Sequence, residues 1–136
     1  MKQNKKAGYT AWIILILALL AAVGSLTVLG PCVHEDGTFG SCHWAGRAMT
    51  GVAFLLAALS LICLGMKESS VRKGLYIAMV PTALLGILIP DVLIRLCGMA
   101  TMRCRAVMRP AMTILFVLIA AASVVGCILS HTGKER

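Results

Sequence analysis

The chain has 136 residues, of which 60% are hydrophobic and 13% are charged, and its mean hydropathy is +0.93. Soluble domains are about half apolar and a quarter charged, so this composition excludes an ordinary soluble domain. The formal net charge of +8 would suit nucleic acid. Basic residues at the flanks of apolar runs are typical of membrane proteins, however, and we expect no nucleic-acid partner.

Four apolar segments are long enough to cross a lipid bilayer, whose hydrocarbon core takes about 20 helical residues. The sequence therefore predicts an all-α fold, a polytopic membrane protein built as one four-transmembrane-helix bundle over residues 1–136. Two helical hairpins would form the bundle. The predicted spans cover about residues 9–29, 48–66, 75–94 and 111–129.

The lysines predict how the bundle is oriented. Every lysine lies before the first span, between the second and third, or after the fourth. The positive-inside rule places these segments in the cytoplasm. We therefore predict a multi-pass protein of the prokaryotic cytoplasmic (inner) membrane, with both termini cytoplasmic. The connections Cys32–Ala45 and Cys97–Arg109 would then lie on the outer side.

The first span opens with Tyr9 and Trp12, aromatic residues that are typical of the headgroup level of a bilayer. It ends at Gly30-Pro31, because proline cannot donate the backbone hydrogen bond that a helix needs. In the connection that follows, the interval from Cys42 to Arg47 is the same as the interval from Cys104 to Arg109 in the second half. This echo predicts a 2+2 repeat with both halves in the same orientation.

The third span is irregular, since it contains Pro81 and Pro90, and it carries an acidic residue, Asp91, near its outer end. A carboxylate within a membrane span is either functional or paired with a cation. Arg95, one helical turn further on, and Arg47 of the neighbouring hairpin are the candidate partners. A structural ion pair is the simpler of the two interpretations.

Four cysteines fall on the predicted outer side, where disulfides persist. They could form two structural disulfides that hold an outer cap, in any of three pairings. They could instead exchange disulfides with a partner, in a membrane thiol–disulfide oxidoreductase that would pass electrons to a quinone. Neither pair has the Cys-x-x-Cys spacing of redox sites. The candidates are Cys32, Cys42, Cys97 and Cys104.

A third interpretation is a soft-metal site for copper or iron. Thiolate and thioether groups prefer Cu(I), and imidazole also suits iron. Nearby arginines argue against it, because they repel a cation. The candidate ligands are His43, Cys97, Met99, Met102 and Cys104. Independently of any metal, the outer arginines would suit an anionic headgroup or an acidic partner.

Several elements of the chain together resemble a known family. They are Pro31-Cys32, Cys42-His43-Trp44, Ile89-Pro90, and Cys97-Gly98 followed by Met102 and Cys104. The pattern resembles the small four-span prokaryotic membrane proteins catalogued as domain of unknown function 4418. The resemblance covers nearly the full chain and implies the same architecture. Members often carry Met two residues before the Cys-His-Trp cysteine, where this chain has Gly40, and this departure weakens a ligand role there.

The resemblance implies no activity, but similar proteins occur beside export- or metal-linked transporter components. We therefore expect a non-enzymatic accessory or partner-binding membrane protein with a disulfide-held outer cap. Its partners would be the lipid bilayer and a membrane protein such as a transporter complex. No catalytic residue is assigned and no cofactor is expected. The oxidoreductase and the metal-handling protein remain the alternatives.

Overall fold

The structure is a computed structural model that describes the backbone of residues 2–27, 41–93 and 104–132. It describes the side chains of residues 5–27, 43–93 and 106–132. These residues are almost entirely helical and contain no strand, so the predicted all-α fold is confirmed. The helices are α1 (Lys2–Leu26), α2 (Ser41–Gly65), α3 (Ser69–Leu88) and α4 (Arg109–Thr132).

Two short π-helical segments lie in the second hairpin, one at the end of α3 and one at the beginning of α4. The first, Ile89–Leu93, continues α3, and the second, Cys104–Met108, leads into α4. Helix α3 runs through Pro81 without interruption, and the change of helix type comes at Pro90 instead. A proline in the π-helical segment is tolerated because the wider turn already departs from the regular hydrogen-bond pattern.

The four helices form an antiparallel bundle with two distinct ends. We call the end that holds the beginnings of α1 and α3 the terminal end, and the opposite end the loop end. Helix α1 packs mainly on α2, and α3 packs mainly on α4. The α1–α4 contact closes the bundle, and the α2–α3 contact is the smallest of the four. The molecule is therefore two hairpins packed side by side.

Each helix has a segment long and apolar enough to cross a membrane. These segments are Lys5–Leu26, His43–Gly65, Ser69–Leu93 and Ala106–Thr132. All four begin before the predicted windows, because a helix is defined by its backbone hydrogen bonds and continues into polar residues that hydropathy leaves out. Large apolar side chains on the outward faces are about half exposed, among them Ile16, Phe54, Ile77 and Ile114. This pattern indicates a multi-pass membrane protein surrounded by a bilayer.

Small residues pack the first hairpin. The side chains that α1 and α2 bury against each other include a run of alanines: Ala11, Ala18, Ala21, Ala22, Ala45, Ala53 and Ala57. Small side chains let helix backbones approach closely, which is how helices associate in lipid. At the loop end of this hairpin, the buried hydroxyls of Ser25 and Thr50 hydrogen-bond each other at 2.6 Å.

The second hairpin is packed by two aromatic rings that each lie against a glycine. A Cβ atom added to Gly86 of α3 would lie 2.7 Å from the ring of Phe116 on α4. In the reciprocal contact, a Cβ at Gly126 of α4 would lie 2.5 Å from the ring of Tyr76 on α3. Both rings are fully buried. Only glycine leaves room for them, so these two contacts set the separation of α3 and α4.

Candidate functional site

An ion pair between Asp91 and Arg109 lies at the loop end of the second hairpin. The Asp91 Oδ1 atom is 2.5 Å from the Arg109 Nη2 atom, and the two side chains are 39% and 40% exposed. The sequence analysis proposed Arg95 or Arg47 as the partner. Arg95 lies outside the described residues, and Arg47 is exposed on α2. The partner is Arg109 because antiparallel packing brings the end of α3 to the beginning of α4.

Both π-helical segments adjoin this ion pair. Asp91 is the third residue of the segment that continues α3, and Arg109 directly follows the segment that precedes α4. Single π-helical turns are rare and occur often at functional sites, because the extra residue redirects the side chains that follow. The coincidence of two such turns with the ion pair makes this the leading candidate site in the described part of the chain.

A shallow, open pocket of about 500 Å³ lies beside the ion pair. Its lining consists of Asp91, Arg109, Pro110, Thr113 and Ile114. The Thr113 hydroxyl donates a hydrogen bond to the Arg109 carbonyl oxygen, at 2.8 Å. The pocket thus combines two opposite charges with an apolar wall. Such a site can hold an amphiphilic ligand or the edge of a partner.

A second group of polar residues opens α2 at the same end of the bundle. The rings of His43 and Trp44 meet edge to face, with centroids 5.9 Å apart and an angle of 85° between their planes. Trp44 is 60% exposed, and Arg47 is exposed one turn further along. Trp44 and Arg47 face outward, away from the apolar core of the bundle, and His43 is half-buried.

A buried polar cluster at the terminal end was not predicted from the sequence. The Tyr76 hydroxyl donates a hydrogen bond to the Ala7 carbonyl oxygen, at 2.7 Å. Arg72 is buried one turn before Tyr76 on α3, and the Cys63 thiol of α2 is also buried. The available signal was the spacing of Arg72 and Tyr76, which puts two polar side chains on one face of an otherwise apolar helix. This cluster joins the beginning of α1 to the second hairpin.

Comparison with known proteins gives one result. The model of a family described as Domain of unknown function (DUF4418) matches residues 14–129. The chain belongs to this family. No curated protein and no solved structure matches the chain. The match extends from the middle of α1 to the last turns of α4, so it contains α2 and α3 entirely, the second half of α1 and nearly all of α4 of this DUF4418 protein.

The cysteines predicted to form disulfides lie at or beyond the edge of the described residues. Cys32 and Cys97 lie outside them, while Cys42 in the first turn of α2 and Cys104 in the second π-helical segment are described by their backbone alone. Their pairing and redox state remain predictions. Two other cysteines are free thiols: Cys63 is buried and Cys127 is half-buried.

The predicted metal site is likewise untested. Of its ligands, Cys97, Met99 and Met102 lie outside the described residues, and His43 lies within them. Where side chains are described, no three His, Cys, Asp or Glu residues form a group that could hold a metal ion. The copper or iron hypothesis therefore stays a prediction about the segments beyond the described helices.

Proposed function

We propose that this DUF4418 protein is a non-enzymatic accessory component of a membrane complex, and that it binds a protein partner through the loop end of α2. The observation that carries the proposal is the outward placement of Trp44 and Arg47. They stand on a helix whose other exposed side chains are largely apolar, such as Phe54, Leu55 and Leu61. The proposed role requires no cofactor.

The residue types support binding rather than catalysis. Tryptophan and arginine are the side chains that most often carry the binding energy of protein interfaces. Arg47 presents a planar fork of donors that matches a carboxylate of the partner. In the described residues the interior of the bundle is mainly apolar, apart from Arg72, Tyr76 and several buried hydroxyls, and this favours a role for the surface. We therefore expect a partner with an acidic residue facing Arg47.

The topology and the cysteines complete this proposal. The loop end would face the outside of the prokaryotic inner membrane, as the lysines predict, and disulfides could then hold the connections that enter α2 and α4. Cys42 directly precedes His43 and Trp44. A disulfide at Cys42 would restrain the first turn of α2 and so reduce the ordering cost of binding.

Site-specific photocrosslinking in native membranes tests the partner. A photoreactive residue replaces Trp44, with Phe54 of the same helix as the matched control, because both aromatic side chains are more than half exposed. We expect a discrete adduct from position 44 and none from position 54. Arg47→Glu should abolish the adduct, and Arg47→Lys should weaken it, because lysine keeps the charge but lacks the planar fork. Equal crosslinking from both positions, or an adduct that survives Arg47→Glu, would contradict the proposal.

A further inference from the structure

We propose that the pocket beside Asp91 and Arg109 binds the phosphate of an anionic phospholipid in the leaflet at the loop end. Arg109 would contact the phosphate, and Asp91 would act as a positioning residue that orients the Arg109 guanidinium. This lipid site is on the second hairpin and is separate from the surface of α2 proposed to bind a protein.

The pocket lies at the depth where lipid headgroups are found. Asp91 is three residues from the end of the apolar segment 75–94, and Arg109 lies two residues before the apolar segment 111–129. At about 1.5 Å of rise per residue, both lie within about 5 Å of the span ends. Trp44, near the beginning of its own span, marks the same interfacial level on α2. Arg109 is therefore placed next to phosphate groups and not in the hydrocarbon core.

The ion pair leaves Arg109 able to bind a second anion. A guanidinium carries five N–H donors in a rigid plane, and the contact with Asp91 is made by the Nη2 atom. The side chain is 40% exposed, so its other donors can reach a group in the open pocket. An arginine whose orientation is set by a carboxylate loses little rotational freedom when it contacts a phosphate.

The apolar side of the pocket suits an acyl chain. Ile114 lines the pocket, and Val117 and Leu118 follow it at spacings of three and four residues on the same face of α4. All three are about half exposed. A ligand with its phosphate at Arg109 would therefore continue down an apolar surface. This arrangement matches a phospholipid better than a free phosphate ion.

The charge of the adjoining sequence favours an anionic lipid. The Asp91–Arg109 pair is neutral by itself, and the sequence from residue 94 to residue 108 contains Arg95, Arg103 and Arg105 and no acidic residue. Basic residues near a membrane surface attract anionic lipids by about 1 kcal/mol each, which corresponds to about fivefold in affinity. We therefore expect phosphatidylglycerol to bind at least about fivefold more tightly than phosphatidylcholine.

Native mass spectrometry of the purified full chain, titrated with phosphatidylglycerol in detergent, tests the site. Arg109→Gln should weaken the tightest lipid-binding event about tenfold, since a charge-assisted contact is lost. Lys67→Gln is the control, because it removes one positive charge from an exposed position at the terminal end of the bundle and should leave this event unchanged. Equal weakening by both variants, or none by Arg109→Gln, overturns the proposal, as does equal binding of phosphatidylcholine.

Lipid binding by variants of Asp91 tests the positioning role of this residue separately. Asp91→Asn should weaken lipid binding about threefold, a smaller effect than loss of one charge-assisted contact, and Asp91→Glu should restore it. Restoration of thermal stability without restoration of binding would overturn the positioning role. If Arg109→Gln does not fold, as judged by circular dichroism, this Asn/Glu comparison at Asp91 decides the proposal.

Competition with inorganic phosphate tests whether the ligand of the pocket is a phospholipid or a free phosphate ion. Millimolar phosphate should not displace phosphatidylglycerol if the acyl chains contribute through Ile114 and the residues below it. Displacement of the lipid by phosphate at that concentration would assign the site to a soluble anion and overturn the lipid proposal. Because the measurement uses purified protein without a partner, its failure is distinguishable from failure of crosslinking at Trp44.

Discussion

The two hairpins have similar lengths and the same antiparallel arrangement, but they are packed in different ways. Alanines bring α1 and α2 together, and a neutral hydrogen bond between Ser25 and Thr50 joins them at the loop end. In the second hairpin, aromatic rings fill spaces left by glycines. At its loop end, an ion pair between Asp91 and Arg109 joins α3 to α4. Helices α1 and α2 are regular over their described lengths, whereas the second hairpin has Pro90 and two π-helical segments beside its ion pair.

This difference in packing indicates that the two hairpins have different roles. A ring held against a glycine is a specific contact that fixes one register of two helices, because neither neighbour can shift without a clash. Two such contacts, one near the beginning of α3 at Tyr76 and one near its end at Gly86, allow the loop end of the second hairpin to depart from regular helix without loss of the pairing. The half-exposed charges are found at that irregular end. We infer that the second hairpin presents the ionic pocket, and that the first supports the bundle and carries the surface of α2 proposed to bind a protein.

The largest expected effect comes from removing one of the rings. Phe116→Ala should lower the free energy of unfolding by about 3 kcal/mol or more, because it leaves a cavity in the core beside Gly86. Reversible unfolding in mixed micelles measures the change. Phe54→Ala removes the same ring from an exposed position on α2 and should cost less than about 1 kcal/mol. Similar losses for the two variants would remove the contrast between core and surface aromatics.

Filling the glycine spaces should have the next largest effect. Gly86→Ala and Gly126→Ala should each destabilise the protein by about 1 to 3 kcal/mol, since the added methyl group overlaps a buried ring. Gly51→Ala in the first hairpin is the matched control, because no atom lies within 4 Å of a Cβ at that position. It should be neutral or slightly stabilising. If all three variants behave alike in the same unfolding assay, the aromatic–glycine contacts do not set the separation of α3 and α4.

The smallest effects distinguish the two polar contacts at the loop end. Ser25→Ala should cost about 1 kcal/mol and be insensitive to salt, because a buried neutral hydrogen bond is lost. Asp91→Asn should cost between about 0 and 1 kcal/mol at low ionic strength, and less as salt is added, because a half-exposed ion pair is screened. Unfolding at two salt concentrations measures both. A salt-independent loss for Asp91→Asn would show that the pair is not acting through its charges.

The site was less predictable than the helices. The sequence predicts that the Asp91 carboxylate lies near the end of a membrane span. It does not predict which arginine pairs with that carboxylate. Local spacing favoured Arg95, whereas Arg109 is reached only because α3 and α4 pack antiparallel. The hydrogen bond from Tyr76 to Ala7 was also missed, since it links the first helix to the third, across 69 residues of sequence. Such pairs depend on the order and register of the helices, which hydropathy does not contain.

By itself, the sequence determined that this protein is an all-α bundle of four membrane-crossing helices, because the bilayer thickness and the hydrogen-bonding needs of the backbone leave few other structures for such apolar segments. It also identified the chain as a DUF4418 member through short sequence elements that are spread along the chain. The tertiary structure decided which helices touch, which glycines admit the rings of Tyr76 and Phe116, and which arginine faces Asp91. These depend on packing between distant segments, where a separation of a few tenths of an ångström decides whether two side chains fit.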